Sequence, residues 1–157
     1  MPDMLVPLLK LDDLAPYITD MAQKGISIRR AMVADKRRIT AWVEKQFGIR
    51  WASECEICFS RQPVSLFIAV KDDEILGFGC YEATSRNYFG PTGVLENQRG
   101  LGIGKVLLLS CMHGLREMGY VYAIIGGAGP VGFYEKTVGA AVIPDSVPGV
   151  YKDLLKE

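Results

Sequence analysis

Apolar residues fall first at helical and then at strand-like intervals along this chain. Leu14, Tyr17, Ile18 and Met21 are spaced i, i+3, i+4, i+7, the stripe of an amphipathic helix, and Gly25 is a stop for it. Ile26 to Ala31 alternates apolar and polar residues and reads as a strand. From about Asp35, the residues Ile39, Trp42, Val43 and Phe47 mark a second helix that Gly48 ends, and residues 51–60 suggest a shorter third helix closed by Arg61 to Pro63. Beyond Pro63 the pattern changes. Val64 to Val70, Glu74 to Thr84 and Tyr88 to Val94 are strand-like and are joined by short connections rich in turn residues, which predicts an antiparallel meander. A helix then runs to about Met118, apolar nearly all round at Val106 to Leu109 and therefore buried, with Gly119 as its cap. Tyr120 to Ile125 is a buried strand, Pro130 opens a short helix, and Ala140 to Pro144 makes a last strand. The order is β-α-α-β-β-β-α-β-α-β behind an extra N-terminal helix, an α/β fold with a mixed, mostly antiparallel sheet.

Composition narrows the function. A chain of 157 residues is about one domain and buries roughly two-thirds or more of its unfolded surface. Its 18 Lys and Arg balance 18 Asp and Glu, whereas a dedicated nucleic-acid binder is more basic. No apolar run reaches the ~18 residues of a membrane span. The N-terminus has only a short apolar patch followed by acids, so it lacks a secretory signal, and a cytoplasmic location is expected. Cys55 and Cys58 form a C-x-x-C pair, but Cys80 and Cys111 stand alone and give no second pair for a zinc ribbon. Glu54, Glu56, Ile57 and Phe59 flank the pair at helical spacing, which suits unreactive, partly buried thiols and no metal site.

Candidate chemistry centres on Gln98 to Ser110, where Gly100, Gly102 and Gly104 stand at alternate positions just before a run of aliphatic residues. Glycines at a helix start let another molecule approach backbone N–H groups. A P-loop needs a glycine five residues before Gly104, where Arg99 stands, and Ser or Thr after Lys105, where Val106 stands. Gly127 to Gly132 matches the dinucleotide pattern G-x-G-x-x-G, with Asp145 roughly 20 residues on. Its helix is too short for the usual crossover and few residues follow Asp145, so this is the lesser reading.

Arg99-Gly100-Leu101-Gly102-Ile103-Gly104 fits the cofactor motif Gln/Arg-x-x-Gly-x-Gly/Ala of the GNAT superfamily of acyl-CoA N-acyltransferases. Ile28 to Asp35 resembles that family's first strand and helix start, and Phe133 to Ala140 resembles its last helix and turn. The similarity covers roughly residues 26–145, which divides the chain into an N-terminal helical extension, 1–25, and an acyltransferase domain, 26–157. The resemblance implies acetyl transfer from acetyl-CoA to a primary amine by direct attack in a ternary complex. It implies that Gly100 to Gly104 hold the pyrophosphate, with charge added by Arg99 and Lys105. It also implies that backbone groups near Val94 and Leu95 hold the pantetheine arm and polarise the acyl carbonyl. Tyr134 occupies the position of the general acid toward the thiolate. The family's glutamate on the strand Tyr88 to Val94 is missing, which leaves Glu82 on the neighbouring strand as the candidate base, and its asparagine before the last helix is replaced by Gly126 to Pro130. The resemblance also implies a substrate pocket shaped by the two helices after the first strand and their link, where Gly48 to Glu56 offers Trp51 as a wall and Glu54 as a counter-charge for an acceptor whose identity is open. An acyl-CoA-binding module without turnover is the alternative, and the apolar N-terminal helix offers a surface for a homodimer. The single His113, late in the buried helix, reads as structural.

Overall fold

A computed structural model describes residues 1–157. The helical stripes become α1 (Ala15–Gln23), α2 (Lys36–Phe47), α3 (Ile49–Cys58), α4 (Ile103–Glu117) and α5 (Val131–Val138). The strands are β1 (Met4–Pro7), β2 (Ser27–Arg30), β3 (Leu66–Lys71), β4 (Glu74–Tyr81), β5 (Tyr88–Val94), β6 (Tyr122–Ile125) and β7 (Ala141–Val142). They form one sheet in the order β2-β3-β4-β5-β6-β1-β7. Every neighbouring pair is antiparallel except β5 with β6. This is the mixed, mostly antiparallel sheet expected from the meander and the later helix crossover.

Side-chain alternation on β4 sorts the core into two layers. Phe78 and Cys80 join Ile39, Val43, Ala52 and Cys55 of α2 and α3 on one face. Leu107 and Cys111 of α4 lie against Gly77 and Gly79 on the other. Trp42, Phe47 and Trp51 extend the first layer around Phe78, with Phe47 and Trp51 stacked at 5.3 Å between ring centroids. No helix is long and apolar enough to cross a membrane.

The N-terminus departs from the sequence reading. Residues 1–25 are helical in α1, but they open with β1, which pairs with all four residues of β6 and with two of β7. A four-residue alternation carries little local signal, and a strand this short exists only because both its edges are paired. The N-terminal residues are therefore an internal strand of the sheet rather than a purely helical extension. Met4, Val6 and Leu8 are 0% exposed in the core beneath α4 and α5. Met4→Ala is expected to cost about 2–5 kcal/mol in chemical denaturation, the range for emptying a buried large side chain. A loss below about half a kcal/mol, typical of surface changes, would make β1 a dispensable appendage.

Candidate functional site

β5 and β6 pair in parallel only through Tyr88 with Ile124 and Phe89 with Ile125, and then separate. Both strands contribute causes. On β5, Gly90 has a φ of +113°, Pro91 has no N–H to donate, and the register against β4 shifts between Gly79 and Tyr81. On β6, β1 grips every residue from the far side, and the chain beyond Ile125 is drawn toward the N-terminus. The Gly127 N–H donates to Asp3 Oδ1 at 2.8 Å and the Ala128 N–H to the Pro2 carbonyl at 2.7 Å. The resulting gap is a cavity of about 900 Å³. Its walls are β5 from Phe89 to Val94, the loop Gly126 to Pro130, the start of α4, one side of α3, Tyr134 of α5, and Tyr151 and Leu154 near the C-terminus.

At one part of this wall the chain enters α4. The N–H groups of Gly100, Leu101, Gly102, Ile103, Gly104 and Lys105 make no backbone hydrogen bond, and no side chain caps the helix. Six consecutive donors without a backbone partner thus lie at the positive end of the helix dipole, and all but Leu101 belong to residues of the cavity wall. Gly100 and Gly102 have φ of +87° and +88°, which explains them as turn residues. Gly104 has no such demand. It lies in the first turn of α4, and a Cβ added there would meet only Val94 Cγ2 at 3.7 Å. Neither conformation nor packing calls for glycine at 104, and its bare backbone leaves open a place on the cavity wall. Arg99 is exposed, and Lys105 stands 4.6 Å from the Tyr17 ring centroid of α1. Lys24, the C-terminal cap of α1, donates to the Leu101 carbonyl at 3.1 Å, fixing the loop from behind.

Tyr134 is buried against Phe89 and Phe133, with ring centroids 6.3 and 5.3 Å away; it lines the cavity, and its hydroxyl makes no hydrogen bond within the protein. Burial raises its pKa to about 12. Trp51 and Glu54 of α3 line the same cavity. Glu54 Oε1 accepts hydrogen bonds from Thr84 Oγ1 at 2.6 Å and from the Tyr151 hydroxyl at 3.0 Å. Glu54 is the only carboxylate in the wall, and no histidine lines it.

Of the other expected residues, Val94, Arg99, Gly100, Gly102, Ile103, Gly104 and Lys105 line the cavity, whereas Leu95, Leu101 and Glu82 do not. The Leu95 N–H is taken by the Leu76 carbonyl at 2.9 Å, and ladder alternation turns the Val94 N–H the other way, into the gap. Glu82 is a correction. It lies just past β4 with a φ of +58°, buried, and its carboxylate accepts the Asn87 N–H while its carbonyl accepts from Arg61 at 3.1 Å. It closes the β4–β5 connection instead of facing the site. The dinucleotide alternative meets an obstacle of the same kind, because Asp3 and Pro2 already occupy the N–H groups of Gly127 and Ala128. His113 bonds the Asp12 carbonyl at 2.8 Å, away from the cavity. All four thiols are buried, with Cys55 and Cys80 sulfurs 3.5 Å apart. Tyr151 and Arg50, which also line the cavity, were missed by the sequence reading. Arg50 stands just before the expected helix 51–60 with no pattern to mark it, and nothing near Tyr151 in sequence signals that the C-terminal residues fold back on α3.

Comparison with known proteins agrees with this geometry. No curated protein matches the sequence. Among solved structures, a GCN5-related glucosamine N-acetyltransferase region of a fungal multi-domain GH3 β-N-acetylglucosaminidase superposes with a TM-score of 0.72 at 16% identity, over 90% of this chain and 19% of that one. A GCN5-related N-acetyltransferase from Sphaerobacter thermophilus gives 0.70 at 21% identity, over 90% of this chain and 48% of that one. An aminoglycoside acetyltransferase from an uncultured soil metagenomic sample gives 0.52 at 21%, over 73% of this chain and 88% of that one. The chain thus spans less than half the length of the first two, and at these identities the likeness is one of fold. The family model described as Acetyltransferase (GNAT) matches residues 32–140, well over half the chain, including β5, the glycine loop and α5. With its open β5–β6 gap and its glycine-rich start of α4 inside that match, the chain belongs to the GNAT family of acetyltransferases.

Proposed function

We propose that the protein transfers an acetyl group from acetyl-CoA to a primary amine, by direct attack of the amine on the thioester while both occupy the β5–β6 cavity. The observation that carries this reading is the charge layout of one cavity. The unpaired N–H groups of five wall residues, Gly100, Gly102, Ile103, Gly104 and Lys105, stand with the Arg99 and Lys105 side chains at the start of α4, and a single carboxylate, Glu54, stands on α3. A pyrophosphate gains hydrogen bonds and a favourable dipole at the first place. An ammonium gains a counter-charge at the second, beside the Trp51 ring. An extended pantetheine arm along β5 offers a carbonyl to the Val94 N–H and takes the place of the strand that β6 vacates.

Attack forms the C–N bond and breaks the C–S bond, and the departing sulfur needs a proton. Tyr134 is the donor in this reading. With its pKa raised to about 12 by burial, the hydroxyl stays protonated below that value, and with no protein partner it is free to donate to the sulfur.

Gly104→Asp is expected to abolish CoA binding measured by isothermal titration calorimetry while the melting temperature holds. The new carboxylate has room, suits the first turn of a helix, and stands where the pyrophosphate belongs. Unchanged CoA affinity would remove the phosphate role of this loop.

Tyr134→Phe keeps the ring packing and breaks no hydrogen bond, so stability and CoA affinity should hold. Thiol release with an accepted amine should fall by about 10²-fold or more, the scale of a lost general acid. Equal kcat would reduce Tyr134 to a packing residue. A wild-type protein that binds CoA but releases no thiol with any amine would instead be an acyl-CoA-binding module.

A further inference from the structure

With Glu82 outside the cavity, the reaction lacks a base from the expected place, and the wall itself limits the candidates. Its side chains include one carboxylate, Glu54, and no histidine. The cationic side chains there, Arg50, Arg99 and Lys105, carry N–H donors and no acceptor. Tyr151 is no alternative, since burial, opposed by its Thr84 contact and reinforced by the Glu54 charge, holds its hydroxyl protonated well above the usual tyrosine range.

Glu54 is also oriented in a way that a solvated helix carboxylate is not. Thr84, from the connection before β5, donates to Oε1 at 2.6 Å, and the Tyr151 hydroxyl reaches Oε1 at 3.0 Å and Oε2 at 3.3 Å. Thr84 and Tyr151 are themselves 2.9 Å apart, so the three groups form a closed triangle in which Oε2 keeps the freer lone pairs. Tyr151 is in turn well anchored. The N–H of Val150 before it donates to Asp3 Oδ1 at 3.2 Å, and its ring covers Gly127, where an added Cβ would lie 3.1 Å from it. Beyond it, Glu157 pairs with Arg50 of α3 at 3.2 Å, and the Leu155 carbonyl accepts from the same guanidinium. The C-terminal residues are thus tied to both α3 and the N-terminus, and they bring a hydroxyl to the carboxylate.

We propose that Glu54 takes the proton from the acceptor amine and that Tyr151 and Thr84 are positioning residues for its carboxylate. This rests on the acyltransferase reading. The ammonium passes one proton to Glu54, and the freed nitrogen lone pair attacks the thioester carbon. The C–N bond forms, the C–S bond breaks, and the sulfur takes the Tyr134 proton. The second proton lost by nitrogen as the amide forms returns Tyr134 to its hydroxyl state, and Glu54 releases its proton to water. The sum is ammonium plus thioester giving amide, thiol and one proton.

The charged and titratable groups around Glu54 are Tyr151 from the C-terminal residues, Arg50 one turn earlier on α3, and Cys58 one turn later, which feels the Glu54 charge. Asp3 acts on Tyr151 from the N-terminus. The test is a pH profile of kcat from thiol release with acetyl-CoA and a panel of lysine methyl ester, spermidine and kanamycin, run on wild type, Glu54→Gln and Tyr151→Phe. Calorimetric CoA binding and melting temperature serve as controls on folding. Wild-type kcat should fall on the acid side, because a general base must be ionised to accept the proton. Glu54→Gln should lower kcat by about 10²-fold or more with CoA affinity unchanged, and should lose that acid limb. Tyr151→Phe removes a hydrogen bond to the charged form, so its acid limb should move to higher pH, with a smaller loss of kcat. A Glu54→Gln variant that raises the amine KM but keeps kcat and the acid limb overturns the proposal and leaves Glu54 a counter-charge only. A Tyr151→Phe profile that coincides with wild type overturns its positioning role. No turnover of any amine by a wild-type protein that binds CoA overturns the acyltransferase reading, and this proposal with it.

Discussion

The separation of β5 from β6 is the constraint on which the rest of the structure depends. A sheet opened in its middle exposes backbone donors and acceptors along two inner edges, and each one left buried and unpaired costs about 1–3 kcal/mol. The chain limits that cost locally on β5, where Pro91 has no donor to strand. On β6 it offsets the loss with β1, which pairs all four residues on the opposite edge. Where β6 ends, Asp3 and the Pro2 carbonyl take the next N–H groups. The remaining unpaired groups of β5 face a cavity large enough for a ligand.

Each charged part of that cavity leans on a segment outside the matched stretch 32–140. The start of α4 is braced by α1, through Lys24 on the Leu101 carbonyl, Tyr17 under Lys105, and Met21 close to Gly102. Glu54 on α3 is braced by Tyr151 from beyond residue 140. The matched stretch therefore contains the glycine loop and Tyr134, and the flanking segments of this chain hold the two charged places of the proposed site in position.

Legibility in the sequence followed how local each signal was. The helical stripe of α1 and α2, the meander and the glycine loop are written within a few residues of one another, and all were readable. Leu14 to Met21 was rightly read as helix, and that reading hid β1, since Met4 to Pro7 has meaning only beside β6. Glu82 reads as a base in the sequence because an acid near a strand end looks free to face a neighbouring site. Its left-handed backbone and its bond to the Asn87 N–H are tertiary facts. Trp51 and Glu54 were found through the stretch of helix expected to border a pocket, but the partners that orient Glu54, Thr84 and Tyr151, come from distant parts of the chain. No periodicity announces such a meeting.

In the proposed function, a ligand bridges the opened strands by docking its phosphates on the start of α4. Amide NMR of the protein titrated with CoA tests it most directly, because it reports each backbone N–H separately. The resonances of Gly100 to Lys105 and of Val94 should shift together with one saturating affinity, while those of Gly127 and Ala128, already bonded to Asp3 and Pro2, change less. Shifts concentrated at Gly127 to Gly129, with the α4 start unmoved, would contradict it.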